Sequence, residues 1–478
     1  MTDRLIDDIR VELDNGNITS QEFFDEAINK ANKYQDEYNS FVTIMDKKEE
    51  KESDSIISGI PYALKDNIST KGIVTTGSSN ILNDYVPLYD ATVYRKLKEA
   101  GAVLMGKTVL DELAMGGTGT TGHTGVVRNP WDKNRLIGGS SAGSASAVAL
   151  GIVPFSIGSD TGDSIRKPAA YGGVVGYKPT YGRISRYGLF AFASSLDHVG
   201  MFARSVKDVS YVMDIVKGHD DKDMTSLPDE DICYVNELDN DVKGKKLFYI
   251  KEAIEIDNGN EELKLILDNF RQTLDRCREI GLEVHEVSFR KDLLEAIYPA
   301  YMCISCAEAT SNNSNLTGIP FGTRVDGVNI NQIIMKTRTE GFSELIKRRF
   351  VMGSYILQKE NQEKLFLNAC RVRRLIVDKM NELFKEYDGL IMPASGDVAP
   401  VFGSVSDRLS DEYLILGNHM VIGNFGGFPS ISIPSGFVSG MPVSVNITGR
   451  AKEDFLVLNI ANKLEEVLGY KGQVSKSE

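Results

Sequence analysis

Residues 138–180 read GGSSAGSASAVALGIVPFSIGSDTGDSIRKPAAYGGVVGYKPT, and no other stretch limits the possible folds as much. Glycine, serine and alanine carry little side-chain volume, so segments built from them let backbones approach closely. That suits tightly packed α/β structure. The same texture extends from about Ile60 to Ala203, with short apolar strands in GIPYALKD and AVLMGKT and a small-residue helix in SASAVALGIV.

The remainder of the chain has a different grain. Residues 3–13 and 20–34 read as amphipathic helices, the second opened by a Thr19-x-x-Glu22 capping box. A charged connector, MDKKEEKESDS, follows at 45–55. From about 205 to 385 long charged helices dominate, among them NEELKLILDNFRQTLDRCREIG and KLFLNACRVRRLIVDKMNELFKEY. Strand signals return in YDGLIMPAS, PSISIPSG and PVSVNITG, and EDFLVLNIANKLEEVLG reads as a closing amphipathic helix. The β-rich pieces at the two ends are expected to share one sheet, with the helical middle as an excursion from it.

A net charge of −13 argues against a large basic nucleic-acid face on this chain. Cys233, Cys277, Cys303, Cys306 and Cys370 are scattered and odd in number, unlike a disulfide framework. Cys303-x-x-Cys306 lacks a second ligand pair, so buried free thiols are the expected reading. The opening MTDRLIDDIR has no signal-peptide apolar region, and no apolar run approaches the length of a membrane span. A cytoplasmic protein is expected.

Three short patterns suggest chemistry. GAVLMGKT (101–108) has the spacing of a phosphate-binding loop, but AVLM is itself a strand, so Gly101 only turns the chain into it. GTGTTG (117–122) has the dinucleotide spacing but follows the helical segment LDELAM, and reads as a flexible loop near a site. GSSAG (139–143) centres Ser141 as a nucleophile elbow would, with His198, His219, His285 and His419 downstream, none in a motif-like setting. The alternative proton acceptor is a lysine. Lys65 ends the apolar strand GIPYALK, where burial would lower an amine's pKa with Asp66 on the opposite face, although taken alone it reads as a strand-end surface lysine.

The block at 138–180, paired with the upstream Lys65-Asp66, resembles the amidase signature family. The resemblance implies an α/β amidase-signature fold, a mixed twisted sheet flanked by helices on both sides, with the whole chain 1–478 as one domain. Residues 1–56 would be a helical arm within it, and 205–385 the mainly helical excursion. It also implies a Ser–cis-Ser–Lys triad: Ser164 as acylated nucleophile, Ser140 in a non-proline cis peptide as relay, Lys65 as base. Ser141 and Ser159 would be structural hydroxyls. Backbone N–H groups of Thr161, Gly162, Asp163 and Ser164 would then form a nest for the oxyanion, an effect worth roughly 3–4 kcal/mol per donor. The Asp163 carboxylate is expected to turn away, toward Arg166 or Lys167.

DELAMGGTGTTGHTGVVRNPWD, GYKPTYGRISRYGLFAFASSLDHVG and GFSELIKRRFVMGSYIL are similar to the A subunits of tRNA-dependent amidotransferases within that family. This implies a glutaminase whose partners are a kinase and tRNA-binding B subunit, and a small C subunit. Charged tRNA would be held mainly by the B subunit, where ATP and Mg would be used, with no cofactor on this chain. Arg349 matches the family's clamp on the glutamine α-carboxylate, with Arg348 next in register, and Tyr301 its substrate-contacting tyrosine. Asp163 stands where the family usually has glycine, Ala142 likewise, and an acid that would hold the α-ammonium is missing near Gly417-Asn418. A stand-alone amidase of another small amide and a catalytically silent scaffold are the alternatives.

Overall fold

The computed structural model describes residues 4–49, 51–255, 260–404 and 415–475. Within these, eleven strands form one mixed sheet. In chain order they are β1 (Phe41–Ile44), β2 (Pro61–Lys65), β3 (Val103–Thr108), β4 (Phe155–Asp160), β5 (Val175–Lys178) and β6 (His198–Ala203), followed by β7 (Lys246–Ile250), β8 (Glu283–Val287), β9 (Gly389–Pro393), β10 (Ser430–Val438) and β11 (Met441–Gly449). The spatial order is β1-β3-β2-β4-β6-β5-β10-β11-β9-β7-β8. Strands from the two β-rich ends meet where β5 pairs with β10, Tyr177 opposite Ile431. The middle is less purely helical than its sequence suggests, because β7 and β8 come from it and extend the sheet beyond β9.

Every residue of β2, β3 and β4 is buried. That burial follows from helices covering both faces, and it explains why these strands read as apolar runs without alternation. Alternate side chains of β2 still separate cleanly. Tyr62 and Leu64 join one core cluster, whereas Ala63 joins another that contains Ala142, Ala145 and Ile137. By the two-residue period, Lys65 lies on the face of Ala63, toward the serine-rich segment. The small-residue helix there, Ala142–Ala149, is buried at all its positions.

At the N-terminus, Thr19 and Glu22 form the expected reciprocal cap: Glu22 N donates to Thr19 Oγ1 at 3.1 Å and Thr19 N to Glu22 Oε2 at 2.8 Å. The helix it starts runs Ser20–Tyr38, further than its pattern indicates, and ends at a left-handed Asn39. The preceding helix, Ile6–Asp14, is held to the body by Asp208, whose Oδ1 accepts from Ile6 N at 3.3 Å.

GAVLMGKT is a turn and strand as expected. Lys107 within it is fully buried and donates to Ile68 O, Thr70 Oγ1 and Thr75 Oγ1, where no phosphate could reach it. GTGTTG departs from the expected flexible loop, because four of its backbone amides are bound to the carboxylate of Asp111.

Candidate active site

The carboxyl ends of the parallel neighbours β2 and β4 lie side by side, the position where open α/β sheets place their ligands. Lys65 closes β2, and its amine is fully buried. Nζ lies 2.8 Å from Ser140 Oγ, 2.9 Å from Ser159 Oγ and 3.2 Å from Ser159 O. Burial pushes the amine down to about 7, while Asp111, Asp160 and Asp197 act in the opposite direction. A lysine near 7 has a neutral fraction able to accept a proton at working pH. Asp66 does turn away: it accepts from Thr76 N at 2.9 Å, and its Oδ1 is 4.0 Å from Lys107.

Ser140 precedes the helix Ala142–Ala149, and the Gly139–Ser140 peptide is cis. Ser141 Oγ donates to Ser159 O at 2.9 Å, so it buttresses β4. The downstream histidines are committed elsewhere. His198 Nδ1 meets Leu196 O, His419 Nε2 meets Pro393 O, and His219 and His285 face Asp221 and Glu283. The elbow reading of Ser141 therefore has no base.

Ser164 lies in the turn between β4 and the helix Arg166–Gly172 and is 4% exposed. Lys65 and Ser140 are hydrogen-bonded, whereas among the described residues no hydrogen bond joins Ser140 to Ser164 Oγ. Nucleophile contacts of this kind commonly tighten only when substrate binds.

A fully buried cage shapes the turn. Asp160 accepts from Arg166 Nε at 3.1 Å, Arg166 Nη2 at 2.9 Å, Ile165 N at 2.9 Å and Asn424 Nδ2 at 2.9 Å. Arg166 Nη2 also donates to Gly162 O at 2.8 Å. In a trans peptide this turns the following N–H, that of Asp163, to the opposite side. The amides of Thr161, Gly162 and Ser164 make no hydrogen bond within the described residues, which leaves donors available in the turn. Thr161 Oγ1 is anchored to Asp197 Oδ1 at 2.7 Å.

Tyr301 comes to this turn from the helix Ile297–Asn312. A Cβ added to Gly162 would stand 3.0–3.1 Å from its ring and hydroxyl, so the ring covers the residue two before Ser164. Arg349 projects inward from the helix Glu344–Ile356 and is 6% exposed, whereas Arg348 faces solvent. Its guanidinium sits 5.7 Å from the Phe192 ring centroid, and its Nε and Nη1 are buried without hydrogen-bond partners. Unpaired buried donors are costly, so these two nitrogens stand open to an acceptor.

Two contributors, Asn67 and Asp197, were not legible in sequence, and Ser159, expected as a structural hydroxyl, contacts the lysine directly. Ser159 and Asn67 orient the lysine, Asn67 Nδ2 donating to Ser159 Oγ at 3.0 Å. Asp197 ties Thr161 to the amides of Phe192 and Ala193 at 3.0 and 3.1 Å, joining the 161–164 turn to the platform under Arg349. Its carboxyl is raised to about 6 by burial, against those hydrogen bonds. The Asp197 signal lay in the FASSLD run, which carried no spacing of its own. No acid stands at Gly417, whose carbonyl instead accepts from Lys167 Nζ at 2.8 Å.

The family model described as Amidase matches residues 14–458. The A subunit of glutamyl-tRNA(Gln) amidotransferase from Heliobacterium modesticaldum is 43% identical over 86% of this chain and 84% of its own length. The one from Sulfurisphaera tokodaii is 38% identical over 96% of each. The crystal structure of the A subunit of glutamyl-tRNA(Gln) amidotransferase from Thermotoga maritima superposes with a TM-score of 0.82 at 34% identity, covering 98% of this chain and 96% of that one. With the buried lysine and serines at the ends of β2 and β4 described above, these likenesses settle the family: the chain belongs to the amidase family, within the branch formed by glutamyl-tRNA(Gln) amidotransferase A subunits.

Proposed function

We propose that this chain is the glutaminase of a tRNA-dependent amidotransferase, with Ser164 as nucleophile, Ser140 as proton relay and Lys65 as base. The observation that carries the reading is the fully buried Lys65 amine, lowered to about 7 and 2.8 Å from Ser140 Oγ. The neutral amine takes the Ser140 proton as Ser140 takes that of Ser164, and Ser164 Oγ attacks the glutamine side-chain amide carbon. Amides of the 161–164 turn receive the oxyanion. The tetrahedral intermediate expels ammonia, which leaves with the proton returned through Ser140. Water then cleaves the glutamyl ester by the same route, giving glutamate.

The partnerless donors of Arg349 supply a fork for the substrate α-carboxylate, and Tyr301 packs over the turn that holds the reacting amide. In this reading ammonia passes to a B subunit, which uses ATP and Mg2+ to activate glutamyl-tRNA(Gln), with a small C subunit to complete the complex. The charge of −13 accords with tRNA being gripped mainly by another chain. No helix among the described residues is long and apolar enough to cross a membrane, and this chemistry belongs in the cytoplasm.

The test is a glutaminase assay of the purified chain, alone and with the B and C subunits, with mass spectrometry of the trapped intermediate. A glutamyl mass on Ser164, and glutamine-dependent amidation of glutamyl-tRNA only in the complex, is the expected result. An acyl group on Ser141 or Ser159 refutes the assignment.

A further inference from the structure

Asp111 follows β3 and is completely buried. Its Oδ2 accepts from the amides of Thr118 at 3.1 Å and Gly119 at 3.0 Å. Its Oδ1 accepts from the amides of Thr120 at 3.1 Å and Thr121 at 3.2 Å and from the Thr121 hydroxyl at 2.9 Å. Four successive N–H groups converging on one anion make a nest. The glycine-rich run at 117–122 therefore does cradle an anion, but the anion is this chain's own side chain.

The other side of Asp111 meets the serine motif. Its amide donates to Ser140 O at 3.1 Å, and Gly139 N donates to Gly117 O at 3.0 Å. A Cβ on Gly139 would lie 2.0 Å from Asp111 Oδ2, and one on Gly116 would lie 2.4 Å from Asp111 Cγ. Only glycine fits at either position, so the carboxylate is packed directly against the peptide that leads into Ser140. Asparagine could not replace it cleanly, because both oxygens face N–H donors and an NH2 group would oppose two of them. Among the described residues no lysine or arginine pairs with Asp111, so its charge is held by backbone amides.

We propose that Asp111 is the positioning residue of the triad, fixing the Ser140 hydroxyl against Lys65 through the Gly139–Ser140 backbone and supplying a fixed negative field at the amine. Of the charges that oppose the lowering of the Lys65 amine, Asp111 acts most strongly. The inference rests on the triad reading above and does not depend on glutamine being the substrate.

The test is the pH dependence of Ser164 phosphonylation by a fluorophosphonate in the full chain, followed by mass. In that reaction the Ser164 oxygen–phosphorus bond forms, fluoride leaves, and the serine proton passes toward Lys65. Asp111→Asn is expected to slow labelling at pH 8 about 30-fold or more and to move the acid limb down by about half a pH unit, because a charge favouring the protonated amine is gone. Thr121→Val, which deletes one hydroxyl bond and leaves the four amides, is the milder variant should Asp111→Asn fold poorly. It is expected to slow labelling about 3- to 10-fold while the KM for glutamine stays within about twofold. An acid limb unmoved in a folded Asp111→Asn, or labelling unaffected by Thr121→Val, overturns the proposal. If the parent chain labels at Ser164 yet hydrolyses no glutamine, the substrate reading falls and the labelling comparison still decides the role of Asp111.

Discussion

Asp163 Oδ2 lies 3.4 Å from Lys167 Nζ, one helical turn further along the chain, and the same ammonium donates to Gly417 O at 2.8 Å. The carboxylate beside Ser164 is thus compensated by a neighbouring ammonium, and the turn is tied to the segment that follows Ile415. Asp163 is absent from the residues with positive φ, so the position does not require glycine's backbone freedom. Asp163→Gly should retain glutamine kcat within about threefold, whereas Lys167→Met should lower it about tenfold by leaving a bare charge near the oxyanion. The double variant should recover most of the loss. Inactivity of Asp163→Gly would instead make the carboxylate a direct participant.

Lys65→Arg should be nearly as damaging as Lys65→Met, because a guanidinium cannot deprotonate at working pH. Since the base must be neutral, kcat/KM of the parent should rise with pH through about 7 and level off above it. Lys65→Met should also raise the thermal midpoint at pH 7, because it removes a buried amine whose charged form is disfavoured by burial. An arginine variant with substantial activity would mean that the lysine serves only as a positive charge.

Arg349→Lys keeps the charge and loses the planar fork. The expected outcome is a KM for glutamine raised roughly 10- to 100-fold with a much smaller change in kcat, read from steady-state kinetics. Arg348→Lys, at an exposed position, should change neither. Equal effects at the two arginines would remove Arg349 as the carboxylate clamp.

Buried acids remote from catalysis set a separate pH dependence. Asp208 is raised to about 7 and Glu465 to about 8, each chiefly by burial, with the Asp208 charge adding to the rise at Glu465 and Asp7 to that at Asp208. An acid raised in the folded state binds more protons there than in the unfolded chain, so stability falls as pH climbs from the unfolded values near 4 toward the folded ones. Glu465→Gln should flatten the decline of the thermal midpoint between pH 5 and 8. Its carboxylate accepts from Val206 N at 3.1 and 3.2 Å, a contact the amide oxygen can keep. A slope as steep as the parent's would show that these acids do not control it.

The strands and the long helices were legible because burial on both faces demands apolar runs, and amphipathic faces repeat every three to four residues. Thr19 and Glu22 marked their helix start because a cap is a contact between near neighbours. The hydroxyl-rich, small-residue block at 138–180 and the amine ending a strand at Lys65 stood out in the sequence, but it was the resemblance to the amidase signature family that singled out Lys65, Ser140 and Ser164 among them. Other contributors left no such trace. Asp111 was hidden in the segment LDELAM, and the loop it anchors looked flexible, because a nest is a property of backbone direction and glycine spacing alone does not reveal which anion fills it.

What the sequence determined by itself was composition and local pattern: which segments must be buried, which residue types could carry proton transfer, and that no histidine stood in a convincing place. Tertiary structure decided proximity. Lys65 and Ser140 are 75 residues apart, Thr161 and Asp197 are 36 apart, and Lys167 and Gly417 are 250 apart, yet each pair lies within hydrogen-bond reach. Only the stacking of β2 beside β4, with helices from both halves closing over their ends, brings these groups together. The same packing excludes water from Lys65, and that desolvation, a consequence of the whole fold, brings the amine down to about 7.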